Sequence, residues 1–134
     1  MDTDDRYRAG DRARREVLGD EYVNNMLRGW SPAAPLLELI TEYSWGYLWN
    51  RDAVDRRARS LITVALLVAL NRPRELELHV GGALRNGCTV EELAEVALQG
   101  AVYAGIPSGI DAMHVIRRVA DEMHGSAQQE PTDG

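Results

Sequence analysis

Apolar residues recur along this chain at spacings of three and four, the mark of amphipathic helices, while strand-like alternation is weak. Tyr7 to Leu18 reads as a polar helix stopped at Gly19-Asp20, and Glu21 to Arg28 as a short second helix ending at Gly29. Ser31-Pro32 is a start signal, because serine can cap free N–H groups and proline sits where no N–H is needed. Beyond it Leu36, Ile40, Tyr43 and Tyr47 share one helical face. Residues 50–55 break the pattern, and Asp55 is placed to cap the next helix.

That helix, Arg56 to Arg72, carries LITVALLVAL, apolar all round and therefore expected to be covered by neighbours or by another subunit. Pro73 restarts the chain as a helix to Asn86, closed by Gly87. Gly81-Gly82 within it costs about 1 kcal/mol per glycine relative to alanine, which suggests close approach of another helix. Thr89-Val90-Glu91-Glu92 has the form of a capping box and opens a helix to Ala104. Pro107 opens the last helix, with Ile110, Met113, Ile116, Ala120 and Met123 as its expected core stripe. After Gly125 the segment SAQQEPTDG has almost nothing apolar to bury. The pattern therefore predicts an all-α chain of six to seven helices, with one domain over 1–125 and a disordered tail at 126–134.

Composition narrows the chemistry. All fifteen basic residues are arginine, so lysine-dependent Schiff bases, pyridoxal-phosphate anchors and GxxxxGK[ST] phosphate loops are excluded. The net charge of -6 is the wrong sign for a protein that neutralises phosphates, which argues against a nucleic-acid partner. Cys88 is the single cysteine, so no internal disulfide, CxxC pair or cysteine-based zinc site can form, in keeping with a cytoplasmic location. The charged N-terminus lacks a signal-peptide core, and the longest apolar run, Leu61 to Leu70, is too short for a membrane span.

Two constellations could carry chemistry. Glu75 and His79 stand four residues apart on one helical face, where a carboxylate can orient an imidazole and raise its pKa toward that of a general acid. An ordinary i,i+4 surface pair is the plain alternative, and no HExxH or carboxylate-rich cluster suggests a metal. Trp45-Gly46-Tyr47-Leu48-Trp49-Asn50-Arg51, followed by Arg56, Arg57 and Arg59, suits a pocket with aromatic walls and arginine forks for a planar anion. A solvated linker whose arginines pair with Asp52 and Asp55 fits the same spacing. His114 lies off the core stripe near Asp111 and Arg118, either a second catalytic imidazole or part of a surface ion network. Cys88, between a helix stop and a cap, reads as a packed thiol.

In that order, RxxVLGD (Arg14 to Asp20), WGxxWxRxxxxxRxRSLIT (Trp45 to Thr63), NRxxELxLH (Asn71 to His79), NGxTxEE (Asn86 to Glu92) and YxGIP (Tyr103 to Pro107) resemble the gamma-carboxymuconolactone decarboxylases. These belong to the wider group that includes the AhpD-like alkyl hydroperoxidases. The peroxidase branch places cysteines seven and four residues before the histidine; here those positions hold Arg72 and Glu75, which disfavours dithiol chemistry.

The resemblance implies an AhpD-like helical subunit, a homotrimer or homohexamer without metal or organic cofactor, acting in protocatechuate catabolism on a small dicarboxylate lactone, 4-carboxymuconolactone. Loss of CO2 sends electrons into the lactone carbonyl, so the substrate supplies its own electron sink. On this reading His79 donates toward the oxyanion or carbon, Glu75 either orients it or pushes against the leaving carboxylate, and His114 is a candidate for the other acid. Arg51, Arg56, Arg59 and Arg72 are candidates for carboxylate binding, and Trp45 and Trp49 for pocket walls. Two departures bear on specificity: Asp52-Ala53 stands for a usual Pro-Gly, and Ile110 occupies the asparagine position of P-A-A-N. A noncatalytic helical assembly that binds small anions is the competing reading.

Overall fold

The computed structural model describes residues 2–128, and every regular element among them is helical. The helices are α1 (Thr3–Leu18), α2 (Asp20–Asn25), α3 (Ala34–Leu39), α4 (Arg56–Leu70), α5 (Pro73–Arg85), α6 (Val90–Ala104) and α7 (Ile106–Gln128). A 3-10 turn at Ser31–Ala33 leads into α3, and a π-helix at Ile40–Leu48 continues it. The chain divides into two compact units, one ending at Arg59 and the other beginning at Ser60.

In the first unit α1 starts earlier than the pattern indicated, because Asp2 caps it by accepting the Asp5 N–H at 2.8 Å. α2 stops at Asn25 and Leu27 takes a left-handed φ of 51°. The wide turn of the π-helix is set by bonds such as the Trp49 N–H to the Ser44 carbonyl, five residues back, at 3.1 Å. This widening rotates the buried face. Ala33, Thr41, Trp45 and Trp49 are buried, whereas Leu36, Tyr43 and Tyr47 from the expected stripe are exposed. Gly10 of α1 and Gly46 of the π-helix let the two backbones touch: a Cβ on Gly10 would overlap the Thr41 carbonyl oxygen, and one on Gly46 the Arg6 carbonyl oxygen.

The second unit is built around Val64 and Val68 of α4, Leu76, Val80 and Ala83 of α5, Leu93 and Ala97 of α6, and Ala112, Val115, Ile116 and Val119 of α7. α4 ends two residues before the expected Arg72, since Asn71 adopts a left-handed φ of 54° and the Arg72 N–H reaches back to the Leu67 carbonyl. Gly87, at φ 92°, closes α5 as expected. The capping box of α6 is present in full, with the Thr89 hydroxyl accepting the Glu92 N–H and the Glu92 carboxylate accepting the Thr89 N–H.

Within the chain the run LITVALLVAL is covered on one side: Val64 and Val68 are buried, while Ile62, Leu66 and Leu70 face outward, on the side left for another subunit. The stripe of α7 holds at its C-terminal end, with Ile116 buried and Met123 packed on the core, but Ile110 and Met113 are exposed and Ala112, Val115 and Val119 lie inside. Gly109 and Ala112 are small enough to bring α7 against α6, where a Cβ on Gly109 would strike Ala101, so the bulkier neighbours turn outward. Gly81, by contrast, has ordinary room; its added Cβ would lie 3.9 Å from Val119. Residues 126–128 continue α7, against the expected tail, because one glycine at 125 costs a long helix only about 1 kcal/mol. Residues 129–134 of that expected tail lie outside the described residues.

Candidate active site

In the second unit, Pro73 fixes the first turn of α5 at a position where its missing N–H is not needed. Glu75 therefore sits in the first turn, on the exposed side, where a carboxylate suits the positive end of the helix. His79 follows one turn later, half-buried beside the core residue Val80. Burial pushes the imidazole down from 6.5 to about 4, and Glu75 opposes this without overcoming it. The expected rise in pKa is therefore reversed: desolvation outweighs the carboxylate, and the ring is neutral at pH 7. A neutral imidazole can donate one N–H to a developing oxyanion and cannot act as a cationic acid.

Arg72 is exposed at the N-cap of the same helix, and its side chain makes no capping bond. His114 is exposed on α7. Arg118 pairs with Glu77 at 3.3 Å, linking α7 to α5 on the surface. Cys88 is buried in the core, as its position between helices suggested. Among the described residues no three His, Cys, Asp or Glu side chains gather as a metal site.

In the first unit the tryptophan and arginine constellation forms a cavity of about 320 Å³ lined by Trp49, Asn50, Arg51, Asp52, Asp55 and Arg56, with Val54. Trp45 does not line it; it stacks on Trp49 at 4.7 Å between centroids and backs that wall. Arg51 lies over the Tyr47 ring at 5.4 Å and donates to its phenol oxygen at 3.4 Å. Arg56 pairs with Glu16 and also donates to the Asn50 amide oxygen. Asp55 accepts the Ala58 N–H at 2.7 Å and so serves as the cap of α4, as its position suggested. Arg59 is half-buried and does not line the cavity. Asn50, part of the tryptophan and arginine constellation but given no role of its own by the sequence, lines the cavity and also donates to the Trp45 carbonyl at 3.0 Å.

A second hollow, about 370 Å³, lies between α4 and α6 and is lined by Leu61, Ile62, Ala65, Gln99 and Tyr103 among others. Its lining carries no charged residue, so nothing in a search for carboxylate chemistry would have marked it.

A family model for carboxymuconolactone decarboxylases matches residues 34–118. The chain belongs to the carboxymuconolactone decarboxylase family. It is 45% identical over 115 residues to the nitrosuccinic acid decarboxylase npaB of Metarhizium robertsii, covering 85% of this chain and 80% of that protein. It is also 36% identical over 124 residues to the 4-carboxymuconolactone decarboxylase of Acinetobacter baylyi, covering 92% of each. In this member of the family, the family-matched segment contains Trp45, Trp49, Arg51, Glu75, His79 and His114. Among the described residues no helix is long and apolar enough to cross a membrane.

Proposed function

We propose that this carboxy-lyase of the carboxymuconolactone decarboxylase family removes CO2 from a small dicarboxylate whose leaving carboxylate can pass its electrons to a built-in acceptor. In a carboxylated butenolide such as 4-carboxymuconolactone the acceptor is the lactone carbonyl, reached through the ring double bond, and the product is the enol-lactone. In nitrosuccinate it is the nitro group on the carbon that bears the carboxylate. Both reactions break a C–C bond, release CO2, place negative charge on an oxygen and end with one proton added to carbon. The neutral His79 carries the proposal, because a ring N–H held without charge is suited to the oxygen on which that charge develops.

Glu75 orients the ring, and His114, exposed to solvent, is the candidate for delivering the carbon's proton. Arg51 and Arg56 are proposed as carboxylate-binding forks on the chemistry of their own cavity, with Trp49 as its wall. Arg59 and Arg72 are weaker candidates, the first away from that cavity and the second exposed at a helix start. Of the two substrates, the lactone follows from the motif resemblance, while the higher identity to npaB favours the nitro acid. The exposed apolar faces of α4, α6 and α7 support a homo-oligomer, a trimer or hexamer on the family resemblance. A single buried cysteine suits a cytoplasmic setting.

The deciding experiment offers both acids to wild type, His79→Ala and Arg51→Gln and follows CO2 release. Turnover of either acid, lost by at least 100-fold in His79→Ala and with KM raised several-fold in Arg51→Gln, is the expected result. Binding without CO2 release from either acid would instead support a noncatalytic anion-binding assembly.

A further inference from the structure

Arg14 of α1 is a buried cation, 4% exposed, in the first unit. Its Nε has no hydrogen-bond partner among the described residues, and one terminal nitrogen donates to the Met26 sulfur at 2.8 Å. A thioether is a weak acceptor, whereas a buried guanidinium calls for an ionised or strongly polar partner. Burial accordingly lowers the Arg14 pKa, with the neighbouring Asp11 and tyrosines opposing it. The Tyr22 hydroxyl donates to the same sulfur at 3.5 Å, so Met26 serves two donors with one poor acceptor.

Met26 also forms part of the wall of a cavity of about 460 Å³, together with Arg15, Asn24, Arg28 and Trp30. Two of those residues are cationic and none of the cavity's lining residues is acidic. The charge of Arg15 is partly met by Asp11 and Asp20, each at 3.1 Å, which leaves Arg28 and the covered Arg14 as the positive groups to be matched. Methionine has three rotatable bonds and moves at low cost, so its sulfur can leave the guanidinium when a better acceptor enters.

We propose that this cavity is a small-carboxylate site in which Met26 is a displaceable stand-in, its sulfur giving way to a carboxylate that pairs with Arg14 and is steadied by Arg28 at the rim. The ligand class is a short mono- or dicarboxylate. A guanidinium fork takes both oxygens of one carboxylate, and the open volume accepts a chain of a few carbons. The site is independent of the decarboxylation chemistry, and no covalent step is involved.

Succinate is the probe, because it carries two carboxylates and no electron acceptor on the carbon bearing either, so it binds without turnover. Calorimetric titration of the full chain should give saturable binding for wild type. Arg14→Met, which keeps an unbranched apolar stem and removes the charged guanidinium, should weaken it at least tenfold. Arg28→Gln alters an exposed rim residue with no burial to lose and should weaken binding about threefold or more, which keeps the test valid should Arg14→Met fold poorly. Met26→Leu should bind at least as tightly as wild type, and Trp30→Phe should lose the ligand-induced change in tryptophan fluorescence. Because succinate could also occupy the Arg51 cavity, Arg51→Gln is included and should retain this binding. Absence of saturable binding, wild-type affinity in Arg28→Gln, or binding abolished by Arg51→Gln alone would each overturn the proposal.

Discussion

Glu75 stands one turn before His79 on α5 and raises its pKa, yet burial prevails and leaves the imidazole at about 4. The folded value lies below the ordinary 6.5, so between those two pH values the unfolded chain binds a proton that the folded chain does not. Stability from the neutral ring is complete above pH 6.5 and is lost as pH falls toward 4. At pH 5 the loss amounts to about 2 kcal/mol. Urea unfolding at pH 7.5 and pH 5.0 should show a larger drop for wild type than for His79→Gln by about that amount. Equal drops in the two proteins would show that the ring is not held neutral by burial.

The same relationship sets the pH dependence of activity. With His79 neutral, kcat/KM should be flat on its account from pH 6 to 8 and fall on the acid side as the ring gains a proton near pH 4. Glu75→Gln removes the group that favours the charged ring, so the acid limb should move to lower pH, with up to about a tenfold loss in kcat from poorer orientation. A cationic-acid mechanism predicts the reverse pattern, an alkaline limb that moves down in Glu75→Gln. The two profiles therefore separate an oxyanion donor from a proton-delivering imidazolium.

Much of the fold can be read in the sequence because its punctuation is local. Asp55, Pro73, Gly87 and the Thr89 box act within one turn, and each ends or starts a helix where the pattern places it. The misplaced positions of the two stripes depend on partners distant in sequence. Leu36, Tyr43 and Tyr47 have helical spacing, but the π-helix widens the turn and brings Trp45 and Trp49 inward instead. Ile110 and Met113 are larger than Gly109 and Ala112, yet the small pair is buried because α6 needs the room. The site divides in the same way. The spacing of Glu75 and His79 was visible, and the direction of the imidazole shift was not, since it depends on how deeply α5 packs.

Gly10 and Gly46 make the contact between α1 and the π-helix a backbone contact, with a Cβ on Gly10 placed 2.7 Å from the Gly46 nitrogen. The obstacles are carbonyl oxygens and main-chain atoms, which cannot rotate aside as a side chain could. Gly10→Ala and Gly46→Ala should each destabilise the protein by about 3 kcal/mol or more, measured by chemical denaturation. Gly125→Ala is the control: it lies within α7 with nothing inside 4 Å of an added Cβ, and it should be neutral or stabilising by up to about 1 kcal/mol. Comparable losses at all three positions would mean that the helices do not meet at these glycines.

The outer faces of α4 and α6 lead to the prediction about assembly. Leu66 and Val102 are 58% and 73% exposed and Tyr103 is 84% exposed, while Val64, Val68, Leu93 and Ala97 from the same two helices fill the core. Apolar side chains left outside in such number fit the proposed homo-oligomer, in which a second copy would cover them. A charge placed there has no fold to disturb within the chain but would be stranded without a partner in an interface. Light scattering should give wild type a mass that is a multiple of 14.9 kDa, and Leu66→Glu or Tyr103→Glu should lower it toward a single chain with helical circular dichroism retained. A wild-type mass of one chain, or oligomers unchanged in both variants, would place the covering partner elsewhere.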